Sequence, residues 1–125
     1  MLIFILEDSH SRMIKFKREL IGHNIHHAST VDEGMSMISL NKYNVILLDH
    51  DLGGEELVDS QHANTGYQLA KFIASTRKNS STPCIIHSCN PAGADNIQQI
   101  LKHAIKSPFP SLDIGAIEEW VKTCQ

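Results

Sequence analysis

The chain has 125 residues, with 11 basic and 14 acidic side chains, eight His, three Cys and 42% hydrophobic content. That length suits a single domain, residues 1–125, with a core large enough to need no staples. The net charge of −3 argues against a chain built to neutralise nucleic-acid phosphates, and an odd Cys count without a C-x-x-C pair argues against a disulfide scaffold or a zinc ribbon. A reducing, cytoplasmic setting is the matching expectation. No apolar run approaches the roughly 20 residues of a membrane span. The N-terminus, Met1 to Asp8, turns acidic at once without a basic region, unlike a signal peptide.

Leu2 to Leu6 is a continuous apolar run, the mark of a strand covered on both faces. Ser9 to Ile21 carries Met13, Phe16 and Leu20 at helical spacing and stops at Gly22. Ile25 to Ala28 reads as a short, polar, peripheral strand. Thr30-Val-Asp-Glu33 is a capping box opening a helix that carries Val31, Met35 and Ile38. Val45 to Leu48 is a second buried strand and runs into Asp49-His50-Asp51. Leu52 to Thr65 holds two Gly, three acidic residues and little periodicity. It reads as a long loop, an insertion at about 53–65, and such loops in small domains are usually functional or mobile. Gly66 to Thr76 reads as a helix with Leu69, Ala70 and Ile73 inward. Pro83 opens a strand, Cys84 to His87, and Asn90-Pro91 reads as an N-cap followed by Pro at the first helical position. Ile97, Ile100, Leu101 and Ala104 form the inward stripe of that helix. His103 to Ser107 is a candidate last strand, and a final helix carries Ile114, Ile117, Val121 and Cys124. Strands alternating with helices in this way make an α/β domain with a parallel sheet.

In an open parallel sheet, ligands bind beyond the carboxyl ends of the strands. The unusual polar residues fall there: Glu7-Asp8 after the first strand, Asp49-His50-Asp51 after the third, and His87-Ser88-Cys89-Asn90 after the fourth. With those strands adjacent, Asp8 and Asp49 converge, and two close carboxylates raise one pKa or recruit a cation. Carboxylates with open water positions suit Mg²⁺ or a similar divalent cation together with a phosphate. Ser88 can donate to a phosphate oxygen, and the helix start at Asn90 offers free N–H groups to an anion. The bland readings are helix capping for Asp8, a solvated loop for His50 and Asp51, and a core His bonded to a backbone group for His87. His23, His26 and His27 lie on the peripheral strand and read as surface residues. His10, His62 and His103 receive no role.

The chain resembles the receiver (CheY-like) domain of two-component signalling over essentially its full length. That resemblance implies a flavodoxin-like sandwich with strand order 2-1-3-4-5. It matches the acidic pair to Glu7 and Asp8, the phosphoacceptor to Asp49, a backbone carbonyl in the Mg²⁺ shell to Asp51, and the strand-four hydroxyl to Ser88. The Lys-Pro pair that ends strand five in receivers is imperfect, because the text is Lys106-Ser107-Pro108. If Pro108 sets the alignment, Ser107 takes the Lys position. Three strings resemble a narrower family, the cyclic-phosphate-processing receiver-like proteins: Leu-Asp-His-Asp-Leu-Gly-Gly (48 to 54), Gly-Tyr-Gln-Leu-Ala (66 to 70) and Ile-His-Ser-Cys-Asn-Pro-Ala-Gly-Ala (86 to 94).

The leading expectation is therefore a metal-dependent site acting on a cyclic phosphate. Glu7, Asp8, Asp49 and Asp51 serve the metal, and Ser88, Asn90 and Lys106 the phosphate. Asp49, His50, His87 and Ser88 serve the chemistry, with His50 or His87 as general acid or base and Asp49 as ligand or nucleophile. One alternative is a stand-alone response-regulator receiver phosphorylated on Asp49 by a histidine kinase. A second is a nucleotide-binding module without turnover. The expected partner is a small phosphorylated or cyclic-phosphate ligand, with an RNA end included and no membrane.

Overall fold

Short apolar runs become strands when helices cover both of their faces, because a parallel sheet is stable only as a middle layer. The computed structural model describes residues 1–125. Its strands are β1 (Leu2–Leu6), β2 (Asn24–Ala28), β3 (Val45–Leu48), β4 (Cys84–Ile86) and β5 (Ile105–Lys106). Its helices are α1 (His10–Glu19), α2 (Val31–Leu40), α3 (Gly66–Ser75), α4 (Pro91–Ile100) and α5 (Ile117–Thr123). The five strands form one parallel sheet in the order β2-β1-β3-β4-β5, as the receiver resemblance implies.

Alternate residues of each strand feed two cores. Phe4, Leu6, Ile46, Leu48 and Ile86 face α2, α3 and α4, whose Ile38, Leu69, Ile73 and Ile97 meet them. Ile3, Ile5, Val45, Leu47 and Ile85 face α1 and α5, whose Phe16, Ile117 and Val121 close the other side. The capping box is present: the Thr30 hydroxyl accepts from the Glu33 N–H while the Glu33 carboxylate accepts from the Thr30 N–H.

Three local readings change. The last strand is only two residues long, and His103 instead bonds the Thr82 carbonyl at 2.9 Å. The final helix starts late: Pro108 and Pro110 hold the chain in a 3₁₀ turn, and Ile114 lies in a second one before α5 begins at Ile117. Cys124, expected on the inward stripe, is exposed beyond the helix end. All three Cys are free thiols, and no helix is long and apolar enough to cross a membrane.

The long loop after β3 leaves and returns at one point. Asp51 and Thr65 form an antiparallel bridge, and the Gly66 N–H donates to the His50 carbonyl at 2.9 Å. Gly66 is needed there because a Cβ would run into the Asp49 carbonyl oxygen and the His50 backbone, neither of which can swing aside. The replacement Gly66→Ala is expected to destabilise the fold by about 2 kcal/mol or more, the usual cost of overpacking against backbone. Urea denaturation checks this, and an unchanged midpoint would contradict the close approach.

Candidate functional site

The sheet register builds the site. Leu6 is in register with Leu48, and Leu48 with Ile86, so the residues one step further, Glu7, Asp49 and His87, share a row at the strands' carboxyl ends. By alternation they point to the α1 side, the side of Ile5, Leu47 and Ile85. All three are buried, and one ligating atom from each lies within 4.8 Å of the others. Asp49 thus pairs with Glu7 on that face. Asp8 turns away, and its Oδ2 accepts the Gly54 N–H at 2.7 Å. The capping role weighed for Asp8 falls to Ser9, which accepts from the Arg12 N–H.

Hydrogen bonds hold the row. Glu7 Oε2 accepts from the N–H groups of Asp8 (3.0 Å) and Ser9 (3.1 Å), and Glu7 Oε1 accepts from His87 Nε2 at 3.1 Å. His87 is fully buried, its ring packs edge-on to Phe16, and its Nδ1 has no partner. Asp49 Oδ1 accepts from the His50 N–H at 2.8 Å. One cation faces the row: Arg12 Nη1 lies 3.5 Å from Glu7 Oε1 and 3.8 Å from Asp49 Oδ2. Its guanidinium sits 5.0 Å from the Phe109 ring centroid, which fixes its plane.

Lys106 does not fill this place. It is in register with Ile86, so its side chain emerges on the α4 face and pairs with Asp95, while Ser107 is the next residue on the row. Lys106 lines a second cavity, together with Ser88, Cys89 and Pro108.

The second row, Asp8, His50 and Ser88, belongs to the opposite side. His50 is fully buried under α4; a Cβ at Gly93 would strike its ring, so that turn of helix requires Gly. His50 Nδ1 bonds Asp51 Oδ1 at 2.7 Å, and His50 Nε2 meets Ser60 Oγ at 2.8 Å, which also accepts from Asn96 Nδ2 at 2.9 Å. Since Asp51 is an acceptor, His50 Nδ1 carries the proton. Asp51 also accepts from the Leu57 and Val58 N–H groups and from Asn90 Nδ2. The Asn90 carbonyl oxygen caps α4 by accepting from the Gly93 N–H, so both ends of its amide are engaged. Ser88 Oγ accepts from the Asn90 N–H and keeps its own hydroxyl proton to donate. His23, His26 and His27 are half-buried, each with a separate partner: the N-terminal amine, the Tyr43 hydroxyl and the Glu7 carbonyl.

Above the two rows opens a cavity of about 500 Å³. Glu7, Asp8, Asp49 and Asp51 form its floor with Arg12 and Ser88, and loop residues 54–57 form its far wall. His50 and His87 stand behind the floor and reach it only through the carboxylates they bond. Three participants escape a reading of the sequence. Arg12 could have been found, because it lies three residues past the N-cap Ser9 and so on the first turn above β1. Ser60 and Asn96 carry no local signal, since their meeting depends on the path of the loop.

The carboxylates are not equivalent. Burial pushes Glu7 upward, but the His87 hydrogen bond and charge, the Ser9 N–H and Arg12 outweigh it, leaving a pKa of about 2. Burial raises Asp49 from 3.8 to about 7, with the charge of Glu7 adding to it and His87 and the His50 N–H opposing. Burial also opposes ionisation of Asp51, but His50, Asn90 and two backbone N–H groups hold it below the usual range. Linkage then sets the signs. The raised Asp49 favours the fold below about pH 4, and that contribution is lost as pH rises through 7. The lowered Glu7 favours the fold above about pH 4.5, and that is lost as pH falls toward 2. In chelator, the melting temperature is expected to fall between pH 4 and pH 8, and Asp49→Asn should remove most of that fall. Melting curves across this range check it; an equal slope in the variant would place the titration elsewhere.

The family model for the cyclic-phosphate processing receiver domain matches residues 3–103. A two-component response regulator from Clostridium difficile has TM-score 0.74 at 20% identity, covering 99% of this chain and 94% of its own. The chemotaxis protein CheY4 of Vibrio cholerae has TM-score 0.73 at 13% identity, covering 99% and 98%. The Mn(2+)-bound form of response regulator Rcp1 has TM-score 0.72 at 15% identity, covering 98% and 95%. No curated protein matches the chain. The solved structures establish a CheY-like receiver fold, and the family model, spanning most of the chain, establishes more: this protein belongs to the cyclic-phosphate processing receiver domain family.

Proposed function

We propose that the chain hydrolyses a small cyclic phosphate to the monoester at the cavity above β1, β3 and β4, with a divalent cation as cofactor. The observation that carries this reading is the charge balance of the floor. Four carboxylates face one guanidinium, and burial together with the neighbouring Glu7 charge raises Asp49 to about 7 against the opposing pull of His87 and the His50 N–H. A site in that condition takes a cation. The donor set fits one: ligand atoms of Glu7, Asp49 and His87 lie within 4.8 Å of one another and Asp8 lines the same cavity, a set that suits Mg²⁺ or Mn²⁺, and Mn²⁺ tolerates the His nitrogen better. The Mn(2+)-bound Rcp1 structure adds that a protein of the same fold holds such an ion.

When bound, the ion supplies positive charge beside the phosphoryl oxygens. Glu7 and Asp49 would hold it, with Asp8 on the same cavity floor, and Asp49 would serve in its carboxylate form. Arg12, planar and braced by Phe109, donates to one phosphoryl oxygen, and the Ser88 hydroxyl donates to another. His87 and His50 are positioning residues in this scheme. His87 keeps Glu7 ionised and in place, and His50 keeps Asp51 fixed on the cavity floor. Water adds to phosphorus, one ring P–O bond breaks, and the proton that the water gives up goes to the released ring oxygen. The phospho-relay alternative is weaker here, since it calls for a strand-five Lys at the acceptor and Lys106 lies on the α4 face.

Phosphorus NMR on 2′,3′-cyclic nucleotides with Mg²⁺ or Mn²⁺ tests the reading. Monoester should accumulate and stop in chelator. Asp8→Asn and Asp49→Asn should each lose about 1,000-fold in rate, and Arg12→Ala about 100-fold, the usual loss for a donor to developing phosphoryl charge. Lys106→Ala should stay within about twofold, as a surface charge pair contributes little. Folded protein that turns over no cyclic phosphate with either metal would overturn the hydrolase.

A further inference from the structure

Within that reading, we infer that the substrate is a small polyol or nucleoside cyclic phosphate recognised by its phosphate and free hydroxyls, with the nucleobase unread and a nucleic-acid chain excluded. The inference rests on the walls of the cavity rather than its floor. A base is normally held by stacking on an aromatic face or by an edge-on polar set. No aromatic side chain lines this cavity, and its apolar contacts are limited to Leu57 and Cys89. The nearby ring, Phe109, is taken: Arg12 covers it at 5.0 Å and Lys15 at 5.3 Å.

A polynucleotide would need further cations to follow its backbone. The cavity has one, Arg12, already committed to the phosphate position. Beyond it the loop wall presents Glu55 and Glu56 to the mouth, so a second phosphate would meet carboxylates. The same carboxylates suit hydroxyl groups, which are donors that a carboxylate accepts at full strength. The volume agrees: about 500 Å³ holds a hydrated cation with one mononucleotide-sized ester and leaves little for a chain.

The wall is also held in place. Asp8 fastens the Gly54 N–H, and Asp51 fastens the N–H groups of Leu57 and Val58, so both ends of the Glu55-Glu56 segment are tied to the floor. Leu57 is kept in a left-handed conformation, φ 53°, at this second tie. Glu55 and Glu56 are therefore specificity residues on a fixed lip.

A substrate panel tests the inference. It comprises the four 2′,3′-cyclic nucleotides, myo-inositol 1,2-cyclic phosphate, ethylene cyclic phosphate, which has no hydroxyl, and a short RNA ending in a 2′,3′-cyclic phosphate. With Mn²⁺, the four nucleotides and the inositol ester should agree within about threefold in kcat/KM, because contacts to the base contribute little. Ethylene phosphate and the RNA should each fall at least about tenfold lower, the loss of one charged hydrogen bond or the addition of one repulsion. Glu55→Gln with Glu56→Gln should narrow the gap to the RNA and slow the inositol ester. A spread above tenfold among bases, or RNA as the fastest substrate, overturns the inference while leaving the hydrolase intact. The same panel is measured by calorimetry with Mn²⁺. If the affinity ranking holds without turnover, the hydrolase fails and the selectivity stands; if none of the panel binds, both fail.

Discussion

Two carboxylates buried side by side at the end of a parallel sheet are the constraint around which this molecule is organised. Glu7 and Asp49 fall on one row because β1 and β3 pair in register, Ile5 with Leu47 and Leu6 with Leu48. Burying two charges in contact is unfavourable unless hydrogen bonds and opposite charge are supplied. The chain supplies them unequally. Glu7 receives His87, two backbone N–H groups and the nearer approach of Arg12, and stays ionised. Asp49 receives one N–H and a more distant guanidinium, and carries the deficit. An acid that is only partly satisfied internally, on the floor of a cavity, is what makes the place receptive.

Sheet parity also explains why the site has a front and a back. Odd positions send Glu7, Asp49 and His87 toward α1, while the next residue along sends His50 and Ser88 toward α4. The back is a structural joint. His50, Asp51, Ser60, Asn90 and Asn96 lock the loop to α4, and the missing side chain at Gly93 makes room for the imidazole. Two His that look alike in the sequence, each beside a site residue, thus serve two separate carboxylates from behind.

Much of this is legible in the amino-acid sequence. The strands, the capping box at Thr30, the Asn90 cap and the gathering of polar residues on strand ends follow from hydrophobic runs and cap chemistry. The pairing of Asp49 with Glu7 instead of Asp8 was hidden by the strength of the signal itself: β1 is apolar at all five positions, so alternation puts no face label on the residues after it. Lys106 was ambiguous for a related reason. β5 is two residues long, and a one-residue change in alignment exchanges a cation facing Asp49 for one facing Asp95. Arg12 was positioned by ordinary helix geometry, but its reach across to β3 depends on Phe109, nearly a hundred positions away in the chain.

The bridge between Asp51 and Thr65 gives the loop a narrow neck. Gly66 and the His50 carbonyl close that neck, and above it the segment is anchored to the body by Leu52 in the core and by Ser60 bonded to His50 and Asn96. For a loop closed in this way, doubling its length costs only about 0.6 kcal/mol in closure entropy. The neck therefore separates two kinds of constraint. The floor is held to single-residue precision by the sheet, while the Glu55-Glu56 lip above it is held by three backbone N–H groups bonded to Asp8 and Asp51. A change in the length of the lip thus leaves the strand register beneath it untouched.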